Sequence, residues 1–239
     1  GISYNRSEAS RITEDIGAAV SAVNDYMESE YASLKSTFEA NWVGPDEVAF
    51  MNTYLDALKD VFNNVDTVGK AMSEFVIEAA NAMVGFQNSI SSELGGGSMS
   101  NVSENKYSVN ASRLLITDRP HSNKTDFEEG EQLGLVTANS ESVLVDALDT
   151  YTTGVQTKIK DSISAVEVGN AFVSSENANM GIQNFINNVA DSMQNLTKIV
   201  DSFKNDTIPE LVAAFKTQSG SIASDSDSAA SDISSQING

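Results

Sequence analysis

The side chains that could do chemistry are few in this chain of 239 residues, and they lack the spacing of a catalytic or metal site. His121 is the only histidine and there is no cysteine, so a zinc site or a histidine-based acid/base pair lacks its usual partners. Asp225, Asp227 and Asp232 lack the glycine turn and the distal glutamate of a calcium loop. The glycines at 95–97 are not followed by the lysine of a phosphate-binding loop. The sequence therefore predicts a protein that is not an enzyme and has no cofactor and no metal.

The charge balance restricts the class of partner. The chain has 14 Lys+Arg against 34 Asp+Glu, a formal net charge of −20. Nucleic acid and anionic membrane both require a basic surface, so we expect neither as a ligand. No apolar run approaches the roughly 20 residues that a membrane span needs, and the start of the chain does not have a signal-peptide pattern. We therefore expect other proteins as partners, and an export route that uses no cleaved N-terminal signal.

A glycine-rich segment divides the sequence. Residues 95–98 read Gly-Gly-Gly-Ser and are followed at once by Met99, which is typical of an engineered linker between two open reading frames, with Gly1 as a tag-cleavage scar. A natural glycine-rich loop is the alternative. We refer to residues 1–94 as the first half and to residues 99–239 as the second half. The segments 1–98 and 99–239 each carry a net charge of −10, so any association between them must depend on buried apolar surface.

The first half has the apolar periodicity of two long helices. Large apolar residues recur every three or four positions, which places them on one helix face. The first stripe consists of Ile12, Ile16, Val20, Val23, Met27, Tyr31, Leu34, Phe38 and Trp42. The second stripe consists of Met51, Leu55, Leu58, Phe62, Val65, Val68, Met72, Phe75, Ala79, Met83, Phe86 and Ile90. Between the stripes, Gly44 suits a chain reversal and Pro45 suits the first position of a new helix.

The second half has a related pattern after a long lead-in. Residues 99–138 are expected to be extended or partly disordered, and a helix is predicted to start near Ser140. Its stripe consists of Val143, Ala147, Leu148, Tyr151, Val155, Ile159, Ile163 and Val166. A further stripe runs from Phe172 to Phe215, with a break expected at residues 205–209 because Pro209 interrupts it. Residues 139–217 are thus predicted to be a second helical hairpin, and the Ser/Asp-rich residues 218–239 a disordered tail.

Two hairpins of this kind predict the fold class. A lone hairpin cannot cover a wide apolar stripe on both of its helices, whereas a second hairpin can. We therefore expect an all-α protein in which two antiparallel helical hairpins pack as an elongated four-helix bundle.

The tripeptide at the first predicted turn carries a family resemblance. Trp42-Val43-Gly44 between two long helices, within about a hundred residues, resembles the WXG family of small ESAT-like proteins that type VII secretion systems export. The resemblance covers residues 5–93. It implies that the tryptophan packs at the bundle end and that the protein works as a dimer. Phe172 lies at the corresponding position of the second half, which resembles a WXG-like partner without the tryptophan and glycine.

The resemblance implies a non-enzymatic heterodimer, secreted or at the cell surface, that is a substrate or co-secreted partner of a Gram-positive type VII system. The export pattern Tyr-x-x-x-Asp/Glu of many family members occurs here only as Tyr4 with Glu8 and Tyr26 with Glu30, at or in the first helix. A second hypothesis is therefore a targeting pair that binds a larger LXG-type toxin for export. A third hypothesis is a structural or adhesion bundle.

The candidate site residues form two groups. The turn motif is Trp42, Val43 and Gly44, with Phe172 at the corresponding position. The two halves are expected to bind each other through stripe residues at their interface. These are Leu34, Phe38, Leu55, Phe62, Phe185, Val189, Leu196 and Phe203.

Overall fold

The described part of the chain is helical. The computed structural model describes residues 6–42, 45–98, 104–109, 138–164, 166, 183–207, 209–210 and 213. In these ranges there are four α-helices: α1 (Arg6–Asn41), α2 (Pro45–Glu93), α3 (Ala138–Ser164) and α4 (Gln183–Ser202). No strand occurs in the same ranges. The predicted all-α class is confirmed at this level.

The apolar stripes of the first half are the buried faces of α1 and α2. All nine residues of the first stripe have 5% or less of their surface exposed. In the second stripe Val68 and Phe75 are half-buried and Ile90 is 42% exposed, whereas the side chain of Phe86 is not described. The remaining residues of that stripe are buried. The 3.6-residue period therefore predicted the inward face of both helices.

Local chemistry explains where α2 begins and ends. It begins at Pro45, whose fixed φ and missing N–H suit the first helical position. At its other end Gly95 has a φ of 78°. The Gly96 N–H donates to the Ser91 carbonyl (2.7 Å) and the Gly95 N–H to the Ser92 carbonyl (3.1 Å). This is a Schellman C-cap, so the first glycine of the predicted linker also terminates the helix.

The start of α3 corrects one expectation. The helix begins at Ala138, close to the predicted start near Ser140, but one residue of its predicted apolar stripe is not buried. Val143, a member of the predicted apolar stripe, is 45% exposed, whereas its neighbour Leu144 is fully buried. Leu144 lies four residues before Leu148 and thus on the same helix face, whereas Val143 lies five before it. Among the residues of α3 whose side chains are described, Leu144 is therefore the first buried one.

The helical geometry changes directly after α4. Residues Phe203–Thr207 form a π-helical turn, and residues 209–210 are helical again. A break is expected at residues 205–209 because Pro209 has no N–H with which to continue the hydrogen bonds of an α-helix. The irregular turn therefore lies just before the proline.

The chain divides into two compact units, each of which has its own packing. Unit 1 consists of residues 1–25, 62–113 and 157–200, and unit 2 of residues 26–61, 114–156 and 201–239. Each unit therefore contains residues from both sides of the glycine-rich segment 95–98. The predicted domain boundaries, including those at 217 and 218, stay a prediction, since residues 214–239 lie outside the described residues.

Candidate functional site

The turn motif places an aromatic cluster at the end of α1 in unit 2. Trp42 has no exposed surface, and its backbone N–H donates to the Phe38 carbonyl (2.8 Å). The ring of Phe50 stacks on Phe38 at 5.6 Å between centroids, and its centroid lies 5.9 Å from that of Trp42. Trp42 therefore packs α1 against the beginning of α2 as a buried plug. Val43 and Gly44 lie outside the described residues.

A buried carboxyl group lies close to this cluster in the chain. Glu47 is fully buried, and neither of its carboxyl oxygens has a hydrogen-bond partner within the described ranges. Burial raises its pKa from 4.5 to about 7; repulsion by Glu39 adds to the rise, and Lys35 opposes it. Glu47 is the third residue of α2, from which a glutamate can reach back to the backbone of the capping residue. The group is thus set to titrate near neutral pH.

Six of the eight predicted interface residues are buried. Leu34, Phe38, Leu55 and Phe203 belong to the core of unit 2, and each is 3% exposed or less. Phe62 and Leu196, each 2% exposed, belong to the core of unit 1. The side chains of Phe185 and Val189, which are on α4, are not described, and Phe172 lies outside the described residues.

Hydrogen bonds in the core of unit 2 join α3 of the second half to the helices of the first. The Tyr151 hydroxyl donates to the Met27 carbonyl of α1 (2.7 Å). The Tyr54 hydroxyl of α2 shares a hydrogen bond with that of Thr152 (3.0 Å). The centroids of the two tyrosine rings are 6.1 Å apart, and the ring planes meet at 60°. Burial raises the pKa of both tyrosine hydroxyls well above the ordinary value, so both stay protonated.

A second set of contacts joins the halves in unit 1. Residues 104–109, which have no regular secondary structure, lie against α1 and α2. Ser10, Thr13 and Ser73 are buried polar residues of these helices, and each makes a hydrogen bond to this segment. Sequence reasoning missed these three residues, because an isolated serine or threonine in a long helix has no periodic signal.

Open grooves are present in unit 2, but their linings do not indicate a ligand. One groove of about 270 Å³ lies between α1 and α3 and is lined in part by Tyr26, Glu30 and Asp146. Another, of about 420 Å³, lies beside the π-helical turn and includes Lys204 and Pro209. In the part of the chain that the structure describes, no three His, Cys, Asp or Glu side chains are grouped as metal ligands. Nor does a helix in these ranges have the length and apolar character needed to cross a membrane.

Searches against family models, curated proteins and solved structures return no match to this chain.

Proposed function

We propose that the two halves are partner proteins of the WXG type, which fold together and leave the cell through a type VII secretion system. In this proposal the two hairpins pack as an antiparallel four-helix bundle and act by protein–protein contact. The observation that carries the proposal is the shared core of unit 2, in which Tyr151 and Thr152 of the second half bond to Met27 and Tyr54 of the first.

The turn cluster supports the family part of the proposal. Trp42 packs at the end of α1 against Phe50 of α2, which is where a WXG tryptophan is expected. The residues next to it in the first stripe, Leu34 and Phe38, are buried as well. A half that lost its partner would expose part of this surface, and apolar patches of that kind promote self-association. Export as a preassembled pair avoids that exposure.

The net charge supports buried apolar contact as the main source of affinity. Both halves are strongly acidic, so their long-range electrostatic interaction is repulsive. The two interhelical hydrogen bonds in unit 2 then fix which residues face each other, since a buried hydroxyl without a partner costs free energy.

Export measured with two separate chains tests the proposal. Residues 1–94 and 99–239 would be produced from two genes in a Gram-positive host that has a type VII system. We expect both chains in the culture medium, and neither in a strain without the secretion ATPase. Failure of both chains to reach the medium, or export that survives loss of the ATPase, would refute the proposal.

Two further measurements separate the alternative functions. A large neighbouring protein that co-purifies with the native pair would favour the toxin-targeting hypothesis, whereas a clean 1:1 pair would count against it. If Trp42→Ala lowered only the stability and left export and pairing intact, the hypothesis of a structural or adhesion bundle would be preferred.

A further inference from the structure

Residues Glu104–Val109, which we term the arm, occupy a polar groove in unit 1. We define the groove by six residues of α1 and α2: Ser10, Thr13, Gly17, Asp66, Gly69 and Ser73. The arm follows the glycine-rich segment and belongs to the second half, whereas the whole groove belongs to the first. The contacts therefore join residues that are more than 30 positions apart.

The backbone of the arm is held by two buried hydroxyls of α1. The Ser10 hydroxyl donates to the Glu104 carbonyl (2.9 Å), and the Lys106 N–H donates to the Thr13 hydroxyl oxygen (2.8 Å). Thr13 in turn donates to the Ser10 carbonyl (2.6 Å). Glu104 and Lys106 are themselves exposed. At these two positions only the backbone bonds to the groove, so the side chain can vary, except that proline at position 106 would remove the N–H that donates to Thr13.

Two side chains of the arm make specific contacts. The Asn105 amide donates to the Ser73 hydroxyl (3.1 Å), and its oxygen accepts from the Tyr107 N–H (3.0 Å). The Tyr107 hydroxyl donates to the Asp66 carboxylate (2.6 Å) and is 3.1 Å from the Asp66 carbonyl. Asn105 thus holds the backbone of the arm in its conformation and also contacts α2. Tyr107 donates a hydrogen bond to a charged acceptor, and hydrogen bonds of this type are among the stronger ones.

Two glycines make room for the arm. A Cβ on Gly17 would lie 2.5 Å from the Ser108 carbonyl oxygen. A Cβ on Gly69 would lie 2.9 Å from the Tyr107 hydroxyl and also 2.9 Å from a Val20 methyl group of α1. Glycine in a helix interior is less favourable than alanine. Both helices therefore give up helical propensity where the backbone or ring of the arm approaches most closely.

We propose that the polar groove is a docking site for an extended segment of the pattern Asn-any-Tyr, and that it determines which second chain the first half accepts. Apolar stripes discriminate poorly between partner chains, because the apolar face of one amphipathic helix can pack against that of many other helices of similar size. A segment without the asparagine would lose the hydrogen bond to the Ser73 hydroxyl, which would keep only its own bond to the Lys70 carbonyl (2.6 Å). A segment without the tyrosine would lose the bond to the Asp66 carboxylate, and each loss weakens binding of that segment. The role in partner choice rests on the proposed function; docking of the arm does not.

Trypsin cleavage of the full chain at the Lys106–Tyr107 bond tests docking. The Gly17→Ala variant places a methyl group against the arm, whereas Gly85→Ala is a matched control because nothing lies within 4 Å of its Cβ position. We expect cleavage at this bond, followed by mass spectrometry, to be about tenfold faster in Gly17→Ala than in wild type, since a docked segment must leave its groove before it is cut. Gly85→Ala should be cut at the wild-type rate.

Equal cleavage rates in the two glycine variants would overturn the proposal. Unfolding is separated from release of the arm by circular dichroism, because alanine favours the helix and both variants should keep the wild-type helix content. Tyr107→Phe provides a second variant that keeps the ring and loses only the hydroxyl. It should also be cut faster at this bond than wild type, and an unchanged rate would count against recognition of tyrosine.

Selection of the partner is tested after cleavage of the chain at a protease site inserted after Ser98. Combined Asn105→Ala and Tyr107→Ala should increase the rate at which the cut halves dissociate by about tenfold or more. Lys106→Ala, between them, should not, because Lys106 bonds to the groove through its backbone N–H, which alanine keeps. Equal rates in these two variants would overturn the selective role. If the wild-type halves separate at once, the proposed pairing fails, and the trypsin comparison still decides whether the arm docks.

Discussion

Glu47 shows how burial changes the behaviour of a single residue. Its pKa in the folded chain is raised to about 7, so the folded state holds the proton more tightly than the unfolded state. The contribution of Glu47 to the free energy of unfolding is therefore greatest below about pH 4.5, falls as the pH rises towards 7, and is constant above that value. In Glu47→Gln this loss is absent. We expect the variant to be more stable than wild type at pH 8, by up to about 3 kcal/mol, and equal to it at pH 4.

Urea unfolding at several pH values measures this difference. The matched control is Glu78→Gln, because Glu78 is an exposed residue of the same helix. Its stability relative to wild type should change little with pH. Lys35 and Glu39 are the charged residues that act on the Glu47 carboxyl, so both stay unchanged. A Glu47→Gln variant with the wild-type pH profile would contradict the assignment.

The sequence did not reveal the burial of Glu47, and the reason is physical. Acidic residues in the first turn of a helix are favoured by the helix dipole whether they are exposed or buried, so the type and position of the residue do not distinguish the two cases. Trp42 is different, because a large apolar residue at the end of a stripe has few stable alternatives to burial. Its burial at 0% exposure fits its place as the last residue of the first apolar stripe.

At the scale of elements, periodicity predicted the buried faces where apolar residues stand alone. It assigned the wrong residue at the start of α3, because Val143 and Leu144 are adjacent and both are apolar. An extended segment is expected within residues 99–138, but the groove and the hydrogen bonds that hold the arm could not be predicted, for another reason. The contact between Ser10 and Glu104 spans 94 positions, and hydrogen bonds between distant polar residues follow from tertiary packing.

The hydrogen bond between Tyr54 and Thr152 is a test of how α2 and α3 recognise each other. Thr152→Val should remove the hydroxyl and leave that of Tyr54 buried without its partner, at a cost of about 1–3 kcal/mol in the free energy of unfolding. The double variant Tyr54→Phe with Thr152→Val removes both hydroxyl groups, so its free energy of unfolding should fall by less than that of Thr152→Val alone. Comparison with both single variants should then give a coupling energy of about 1 kcal/mol.

Urea unfolding with an unchanged m-value measures this cycle. Thr53→Val is the control, since Thr53 is an exposed neighbour on α2 whose hydroxyl bonds within its own helix, to the Ala49 carbonyl. It should change the stability by less than about 0.5 kcal/mol, as surface substitutions usually do. If Thr152→Val cost no more than Thr53→Val, the bond would have no role in holding α3 in place.

At the scale of the whole molecule, the balance between charge and apolar burial decides whether the halves stay together. The chain has a net charge of −20, divided evenly between its two parts. Added salt screens repulsion between like charges. Salt should therefore leave the association unchanged or strengthen it, whereas an interface held by opposite charges would weaken.

Cleavage after Ser98 followed by size-exclusion chromatography with light scattering measures this association. We expect the cut wild-type halves to elute together at a mass near 25.5 kDa. Leu34→Asp places a charge at a position that is 3% exposed and lines the groove between α1 and α3, and it should separate the halves, because a buried charge without a partner is strongly unfavourable. Ser36→Asp adds the same charge at an exposed position of α1 and should not. Wild-type halves that part into two well-folded species would contradict a shared core, and a single-chain scaffold would then be the better interpretation.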